Sequence, residues 1–376
     1  MVSSADNALS SRPKQAGLPS PIEPGFTERL DKDFVEYYNE YLAIKPASHG
    51  VTIEDIRATP QKFASPWYRD YSYEPFVNDI TIKSGDGHEF TARCYSPDPR
   101  TSPFGAGPYP VHINFHGGGY VLGSLTGDAE ICMLVRNRVG IMVIDVDYRF
   151  DTEVNTCISE HTFLKGHEDA WSAICWVYEH GQEINVRPDS ISIGGISAGG
   201  HIGAVAQQLA RDTNVDLKLE LEETTLTVTS PTAILAVPAT TSHLDMQKAS
   251  DSPYPSFVEN EVAPCLNWAR MAYFMSLTAP KNDKEKAEIE NKPLFHRSPI
   301  DGDLRGVCDT FIATAECDPL RDEGEAYGQR LVEAGVRETS RRYTGVPHPF
   351  MHMMLIKKAQ LYAADICSEL RRVHGA

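Results

Sequence analysis

The sequence predicts an α/β fold, with a mostly parallel central sheet covered by helices on both faces. Apolar runs of strand length, at 111–115, 141–148 and 190–195, alternate with stretches of helical periodicity. This alternation is typical of parallel strands joined by crossover helices, because a tight turn cannot connect two parallel strands. A glycine-rich turn separates the run at 190–195 from a helical stretch at 198–211. We therefore expect the chain to be organised around this strand, turn and helix.

Other segments extend the pattern. Alternating runs at 76–82 and 88–95 flank a Ser-Gly-Asp-Gly turn, which predicts an antiparallel hairpin at the sheet edge because glycine tolerates positive φ. The acidic, threonine-rich stretch 217–227 is interpreted as a solvated connection. Further strands are predicted at 232–237, 311–315 and 339–343, and further helices at 130–138, 168–180, 319–332 and 359–372.

Composition narrows the class of protein. The 376 residues are 41% hydrophobic, which is enough for one large core, and the formal net charge is −17. No basic block is present, which disfavours nucleic acid and anionic membrane surfaces as partners. No apolar run of spanning length and no signal pattern occurs, and the eight cysteines form no C-x-x-C pair. We therefore expect a cytoplasmic protein with reduced thiols.

The N-terminal part of the chain is predicted to contain a flexible lead and a helix. Residues 1–25 are rich in Ser, Pro and Gly and carry too little apolar surface to offset the entropy of ordering them. Thr27 is the predicted N-cap, and Phe34, Tyr37 and Tyr41 recur at helical spacing after it. Such an aromatic stripe is more typical of packing than of ligand contact.

Ser197 is the candidate nucleophile, because it lies at the tip of the turn between the predicted strand and helix. The alternative is a tight turn without chemistry. A serine hydroxyl is a poor nucleophile at neutral pH, so hydrolysis needs a histidine base and an acid that orients it. Asp318 and His348 each follow a predicted strand. The chain order Ser, Asp, His is the order of an α/β hydrolase.

Each partner of the serine has a competitor. Glu316 and Asp322 compete with Asp318, which is favoured by the proline after it and by its place just after a strand. His352, one helical turn further on, competes with His348, which is favoured by its Pro-His-x-Phe context and its distance from the acid along the chain.

A second glycine-rich loop, His-Gly-Gly-Gly at 116–119, follows the run at 111–115. Backbone N–H groups without side chains around them are suited to holding an oxyanion. Neither this chemistry nor the sequence calls for a cofactor. His161 and His167 flank an unusually long loop at 153–169, but without a cysteine or carboxylate pattern they predict no metal site.

Four motifs together resemble the hormone-sensitive-lipase family of α/β-hydrolase carboxylesterases, from about residue 75 to the end. They are the His-Gly-Gly-Gly loop, the Gly-x-Ser-Ala-Gly-Gly turn, an Asp-Pro-Leu-Arg-Asp-Glu-Gly stretch and Pro-His-Pro-Phe at 347–350. For Gly117 a role in shaping the loop is the alternative to a role in the oxyanion hole. The resemblance implies a catalytic triad of Ser197, Asp318 and His348, and an oxyanion hole formed by Gly117, Gly118, Gly119 and Ala198.

The resemblance also implies a helical cap made of two segments. We place them at 27–73 and 250–295, the second with a predicted helix at 263–277, within one α/β-hydrolase domain at 26–376. An ordinary packing helix is the alternative for 263–277.

The sequence departs from the family pattern around the pocket. Ile196 stands where the family often has an acidic residue, and Tyr-Arg-Phe-Asp-Thr-Glu at 148–153 replaces Tyr-Arg-Leu-Ala-Pro-Glu. These departures concern the pocket wall and leave the triad untouched.

The sequence therefore predicts a serine carboxylic-ester hydrolase acting on small, short-acyl esters or lactones through an acyl-enzyme. The alternatives are a lyase or cyclase, or an acyltransferase, built on the same scaffold. A receptor-like binding protein is disfavoured because His348 is present. The expected partner is a small-molecule ester, and a homodimer is left open.

Overall fold

The computed structural model describes residues 18–63, 66, 68–150, 164–216 and 232–376. In this part of the chain all eight predicted strands are present. They are β1 Val77–Lys83, β2 Glu89–Tyr95, β3 Tyr109–Phe115, β4 Met142–Val146, β5 Val186–Ile196, β6 Thr232–Ala236, β7 Thr310–Cys317 and β8 Glu338–Pro347. The helices are α1 Lys32–Tyr41, α2 Ile53–Ala58, α3 Ala129–Val139, α4 Lys165–His180, α5 Ala198–Asp216, α6 Ser256–Glu259, α7 Trp268–Thr278, α8 Asp283–Asn291, α9 Arg321–Glu333 and α10 Lys357–His374.

The strands form one sheet in the order β1-β2-β4-β3-β5-β6-β7-β8. Strand β2 runs antiparallel to both β1 and β4, and every pair from β4 to β8 is parallel. The predicted edge hairpin and the mostly parallel sheet are therefore confirmed. All residues of β3, β4 and β6 are buried, whereas β1 at the edge is largely exposed. Burial on both faces explains why the central strands read as continuous apolar runs.

Helices cover both faces of the sheet. One hydrophobic cluster joins the sheet to α1, α3 and α10, and a second joins its other face to α4, α5 and α9. Within the described residues, no helix combines the length and the apolar character that crossing a bilayer requires. The seven cysteines in this part of the chain are free thiols.

The N-terminal part of the chain begins to pack against the rest of the protein at a lower residue number than predicted. Ile22 is buried, and the backbone N–H of Ser20 donates to the carbonyl of Ala43 at 3.0 Å. The flexible lead predicted for residues 1–25 is therefore wrong for its last residues. Residues 1–17 lie outside the described part of the chain, as do segment 217–227 and most of the loop 153–169.

Helix α1 also begins later than predicted. Thr27 is not an N-cap, because it lies inside the 3-10 turn Pro24–Arg29, and α1 starts after Asp31. The N–H of Asp31 donates to the carbonyl of Gly345 at 2.7 Å, which holds the chain extended at this point. The aromatic stripe serves packing, since Phe34 and Tyr37 are buried in the main core.

Helix α7 begins at Trp268 and not at the predicted residue 263. Cys265 has φ +71°, which an α-helix cannot accommodate. The side chain of Asn267 then caps the helix by accepting a hydrogen bond from the N–H of Arg270 at 2.9 Å.

Removing the Phe34 side chain should destabilise the protein. Phe34 is fully buried, so Phe34→Ala leaves a cavity and is expected to lower the free energy of unfolding by ~3–5 kcal/mol. Denaturant unfolding followed by fluorescence measures this. The control is Val332→Ala, whose side chain is exposed and should change stability by less than ~0.5 kcal/mol. Equal effects of the two changes would show that α1 does not belong to the core.

A buried pair of histidines makes stability depend on pH. The hydroxyl of Ser192 lies 2.9 Å from a ring nitrogen of both His112 and His374. Burial lowers the pKa of His112 to about 3 and that of His374 to about 4. Between pH ~6.5 and ~4 the unfolded chain takes up protons at these sites and the folded chain does not. Stability is therefore lost as pH falls through this window.

We expect His374→Asn to reduce the stability lost between pH 7 and pH 5 by about 2 kcal/mol, one histidine's share. Thermal or urea unfolding at the two pH values gives the comparison. Val332→Ala, which removes no titratable group from an exposed position, serves as the control and should leave the pH dependence unchanged. An unchanged slope in His374→Asn would contradict the assignment.

Candidate active site

Ser197 occupies a strained position between β5 and α5. Its φ is +59°, which is rare for a residue with a side chain, and its N–H donates to the carbonyl of Ala236 at 2.8 Å. The turn needs glycine on both sides. A Cβ atom at Gly195 would lie 2.3 Å from the carbonyl oxygen of Phe115, and one at Gly199 only 1.8 Å from the same atom. The glycines of the motif therefore allow the serine turn to pack against the end of β3.

Asp318 and His348 form a buried hydrogen-bonded pair. Nδ1 of His348 donates to Oδ2 of Asp318 at 2.9 Å, and the N–H of Leu320 donates to the other carboxylate oxygen at 2.9 Å. Asp318 is fully buried and His348 is 5% exposed. Because the carboxylate keeps the proton on Nδ1, Nε2 of the neutral ring is left as a proton acceptor.

The competing residues are engaged elsewhere. Glu316 accepts a backbone N–H at 2.7 Å, and Asp322 is paired with Arg321 at 2.7 Å. Nε2 of His352 lies 2.8 Å from a carboxylate oxygen of Asp128. Of the alternatives left open by the sequence, the geometry therefore favours the Asp318 and His348 pair.

The glycine loop after β3 supplies backbone donors. Within the described residues, no carbonyl accepts the N–H groups of Gly117, Gly118, Gly119 or Ala198. Gly118 has φ +133° and Gly119 has φ +61°, and a Cβ atom at Gly118 would lie 2.0 Å from the carbonyl oxygen of Leu122. Only glycine can adopt this loop, so the His-Gly-Gly-Gly motif follows from backbone geometry.

Ser197, His348 and the glycine loop line one cavity of about 570 Å³. Both predicted cap segments contribute to its wall. The first does so through residues from Ile56 to Tyr68, and the second through one side of α7, including Phe274. The two segments also contact each other, because the hydroxyl of Tyr273 donates to the carbonyl of Val51 at 3.0 Å.

Several polar residues of the cavity wall belong to none of the sequence motifs. His243 lies on the wall, with Nε2 2.8 Å from Oε2 of the fully buried Glu323. Glu323 belongs to the Asp-Pro-Leu-Arg-Asp-Glu-Gly motif. A buried carboxylate needs a hydrogen-bonding partner, and this need was the one signal that could have pointed to His243. Arg57, Arg270 and Arg297 also line the cavity, and no sequence pattern marks them as cavity residues.

The sequence matches the family described as alpha/beta hydrolase fold over residues 112–352, a range that includes Ser197, Asp318 and His348. The chain belongs to the hormone-sensitive-lipase family of α/β hydrolases. An AB hydrolase superfamily protein of Schizosaccharomyces pombe is 27% identical over 360 residues, covering 93% of this chain and 96% of the relative. An arylesterase of Saccharolobus solfataricus is 32% identical over 281 residues, covering 73% and 77%.

Solved structures agree with this family. A hyperthermophilic esterase of Pyrobaculum calidifontis superimposes with a TM-score of 0.69 at 27% identity, covering 95% of this chain and all of that chain. The resemblance seen in the motifs is thereby confirmed. The protein is therefore a carboxylesterase-type serine hydrolase of this family.

A methyl group on Gly119 should disturb the glycine loop. In Gly119→Ala the new Cβ would lie 2.7 Å from the ring of Phe274, at a φ that alanine rarely adopts. The loop must shift, and we expect kcat for a neutral ester to fall by about 10-fold or more, as for a lost oxyanion donor. Gly85→Ala is the control, since nothing lies within 4 Å of its added Cβ. Unchanged kcat in Gly119→Ala would exclude this loop from the reaction.

Proposed function

We propose that the protein hydrolyses small carboxylic esters or lactones with short acyl chains, through an acyl-enzyme on Ser197. The observation that carries this proposal is the convergence of three features on one cavity. These features are the strained serine turn, the His348 and Asp318 pair, and a glycine loop whose backbone N–H groups have no carbonyl partner among the described residues.

In the first half of the reaction, the Ser197 oxygen attacks the ester carbonyl while Nε2 of His348 accepts its proton. The negative charge that develops on the carbonyl oxygen is held by N–H groups of the glycine loop and of Ala198. The carbon–oxygen bond to the alcohol then breaks, and the imidazolium returns its proton to the leaving oxygen. Asp318 keeps the imidazole in the required tautomer and stabilises its charged form.

In the second half, water attacks the acyl-enzyme and gives its proton to His348. The bond to Ser197 breaks, the serine oxygen recovers the proton, and the carboxylic acid leaves. Helix α5 begins directly after the serine, so the positive end of its dipole also faces the site of negative charge.

The proposed preference for short acyl chains rests on the walls of the cavity. A volume of about 570 Å³ lies at the lower part of the range that holds small ligands. Large side chains from both cap segments stand over it, and the ring of Phe274 packs directly against Gly119. A long acyl chain would have to displace these side chains.

The triad assignment is tested by a matched pair of carboxylate changes. Asp318→Asn leaves the histidine free to adopt the other tautomer, so kcat should fall by up to ~10⁴-fold with little change in KM. Asp322→Asn, four residues on in the same motif, should stay within about threefold of the wild type, because Asp322 pairs with Arg321. Steady-state kinetics with p-nitrophenyl butyrate provide the readout. The assignment is wrong if Asp322→Asn shows the larger loss.

The nucleophile and the acyl preference are tested together. A fluorophosphonate probe should label the wild type and leave Ser197→Ala unlabelled, since the probe reacts with an activated serine. Among p-nitrophenyl esters of graded length, kcat/KM should be highest for short acyl chains and fall steeply for palmitate. Labelling of Ser197→Ala would refute the mechanism, whereas equal rates for butyrate and palmitate would refute only the proposed acyl preference.

A further inference from the structure

Basic residues outnumber acidic ones along the wall of the cavity, whereas the chain as a whole is strongly acidic. The formal net charge of the protein is −17. Three arginines nevertheless line the active-site cavity, Arg57, Arg270 and Arg297, beside two carboxylates, Asp128 and Glu130. A cationic wall inside an acidic protein cannot be explained by overall solubility.

The two carboxylates do not neutralise these arginines. Asp128 is bound by Nε2 of His352 at 2.8 Å and by the side-chain amide of Asn114 at 3.2 Å. Glu130 accepts a hydrogen bond from the hydroxyl of Tyr71. Among the described residues, neither carboxylate forms an ion pair with an arginine of the cavity.

Two of the three arginines have structural roles that account for their presence. Nε and Nη2 of Arg57 both donate to the carbonyl of Val121, at 3.0 and 2.8 Å, and so hold the loop beyond the glycines. Nη1 of Arg297 donates at 3.0 Å to the carbonyl of Ile289, in the last turn of α8. A cation is favoured there because it satisfies a terminal carbonyl and the negative end of the helix dipole.

Arg270 is different. Its Nη1 donates to the carbonyl of Cys265 at 2.9 Å, while its Nε is buried and has no hydrogen-bond partner in the described part of the chain. No carboxylate in that part forms an ion pair with it. Arg270 also lies in the first turn of α7, where the helix dipole disfavours a cation and favours an anion. A cation with a buried N–H that has no partner and no counter-ion among the described residues is costly, and an anionic ligand would offset that cost.

The position of Arg270 relates it to the reacting centre. Its guanidinium carbon lies 5.5 Å from the ring centroid of Phe274, and the same ring packs against Gly119 of the glycine loop. One aromatic ring therefore separates the guanidinium from the proposed oxyanion hole. Ser197 and Arg270 also line the same cavity, so a ligand that fills this cavity would contact both residues.

We propose that Arg270 is a specificity-determining residue that binds a carboxylate of the substrate, so that the preferred substrates are small esters bearing a negative charge. The guanidinium fork matches a carboxylate in geometry as well as in charge. The acidic surface of the protein repels anions in general, so recognition must come from this local site. The inference rests on the proposed ester hydrolysis and adds to it the class of substrate.

Paired substrates test the proposal without any variant. Mono-p-nitrophenyl succinate and p-nitrophenyl butyrate share a leaving group and differ in a carboxylate on the acyl side. Phenyl acetate and p-acetoxybenzoate differ in a carboxylate on the alcohol side. In at least one pair, the wild-type kcat/KM should favour the anionic ester by about 10-fold or more, the value of a charge-assisted hydrogen bond. No preference in either pair would overturn the proposal.

The residue is tested by Arg270→Gln, with Arg297→Gln as the matched control. The first change should lower kcat/KM for the preferred anionic ester by roughly 10- to 100-fold relative to that for its neutral partner. The second should leave the ratio between the two esters unchanged. Loss of the preference in Arg297→Gln, or its survival in Arg270→Gln, would overturn the assignment to Arg270.

Hydrolysis of the neutral ester distinguishes a failure of the proposed mechanism from a failure of the role proposed for Arg270. If Ser197→Ala still hydrolyses p-nitrophenyl butyrate, the proposed mechanism fails. If the wild type cleaves the neutral ester but shows no preference for the anionic one, only the role of Arg270 is refuted.

Arg270→Gln could prove inactive toward both esters. Inhibition of the wild type and of Arg270→Lys by benzoate and by benzamide then tests whether Arg270 binds an anion. Benzoate should inhibit the wild type about 10-fold more strongly than benzamide does, and Arg270→Lys, which lacks the fork, should show a smaller difference. Equal inhibition of the wild type by the two compounds would contradict the proposal.

Discussion

The site depends on the close approach of three backbone segments at the carboxyl ends of β3 and β5. The carbonyl oxygen of Phe115 lies where a side chain at Gly195 or Gly199 would have to be. Only because both positions lack a side chain can the turn at Ser197 adopt φ +59° and abut the glycine loop. The surrounding parallel sheet, buried on both faces, holds this strained arrangement in place. The Ser197 turn and the glycine loop are thus fixed against each other by backbone packing, and the side chain of Arg57 secures the loop further on, at the carbonyl of Val121.

The loop that carries Asp318, the proposed acid, is held by a different set of contacts, which extend into the cap segments. The side-chain amide of Asn260 donates to the backbone carbonyl of Asp318 at 3.0 Å, and Arg29 donates to the Asn260 side chain at 2.9 Å. Arg29, before α1, and Asn260, in the second cap segment, therefore brace the loop that carries Asp318. The N-terminal segment cannot be regarded as an appendage, because its polar contacts and its buried aromatic residues belong to the same framework as this loop.

The sequence predicted the sheet and the residues whose roles are enforced by local chemistry. Buried strands appear as apolar runs, and the glycines around Ser197 and after His116 are required by backbone geometry, so both leave a local pattern. Asp318 and His348 were selected because each follows a predicted strand in the order expected of an α/β hydrolase, and the structure places Nδ1 of His348 2.9 Å from Oδ2 of Asp318. The start of α1 was mispredicted because it is set by a contact between Asp31 and Gly345, which are distant in sequence.

The residues that line the cavity wall show no such local pattern in the sequence. Arg270 comes from α7 and His243 from the loop after β6, and each lines the cavity only because of how these two segments pack in the folded protein. A lone arginine or histidine is normally a surface or packing residue, so sequence alone gives no reason to select these two. Their placement is a tertiary property, and substrate specificity in this fold is therefore the part least accessible from sequence.

One departure from the family pattern gains a physical meaning from this charge distribution. Ile196 stands directly before Ser197, the proposed nucleophile, where the family often has an acidic residue, and it is buried on the wall of the same cavity as Arg270. A carboxylate at this position would add a negative charge beside the reacting ester, in a site of low dielectric where repulsion is strong. It would oppose both the developing oxyanion and any carboxylate on the substrate. An apolar residue at 196 and an uncompensated arginine at 270 therefore change the potential of the cavity in the same direction, toward the binding of an anion.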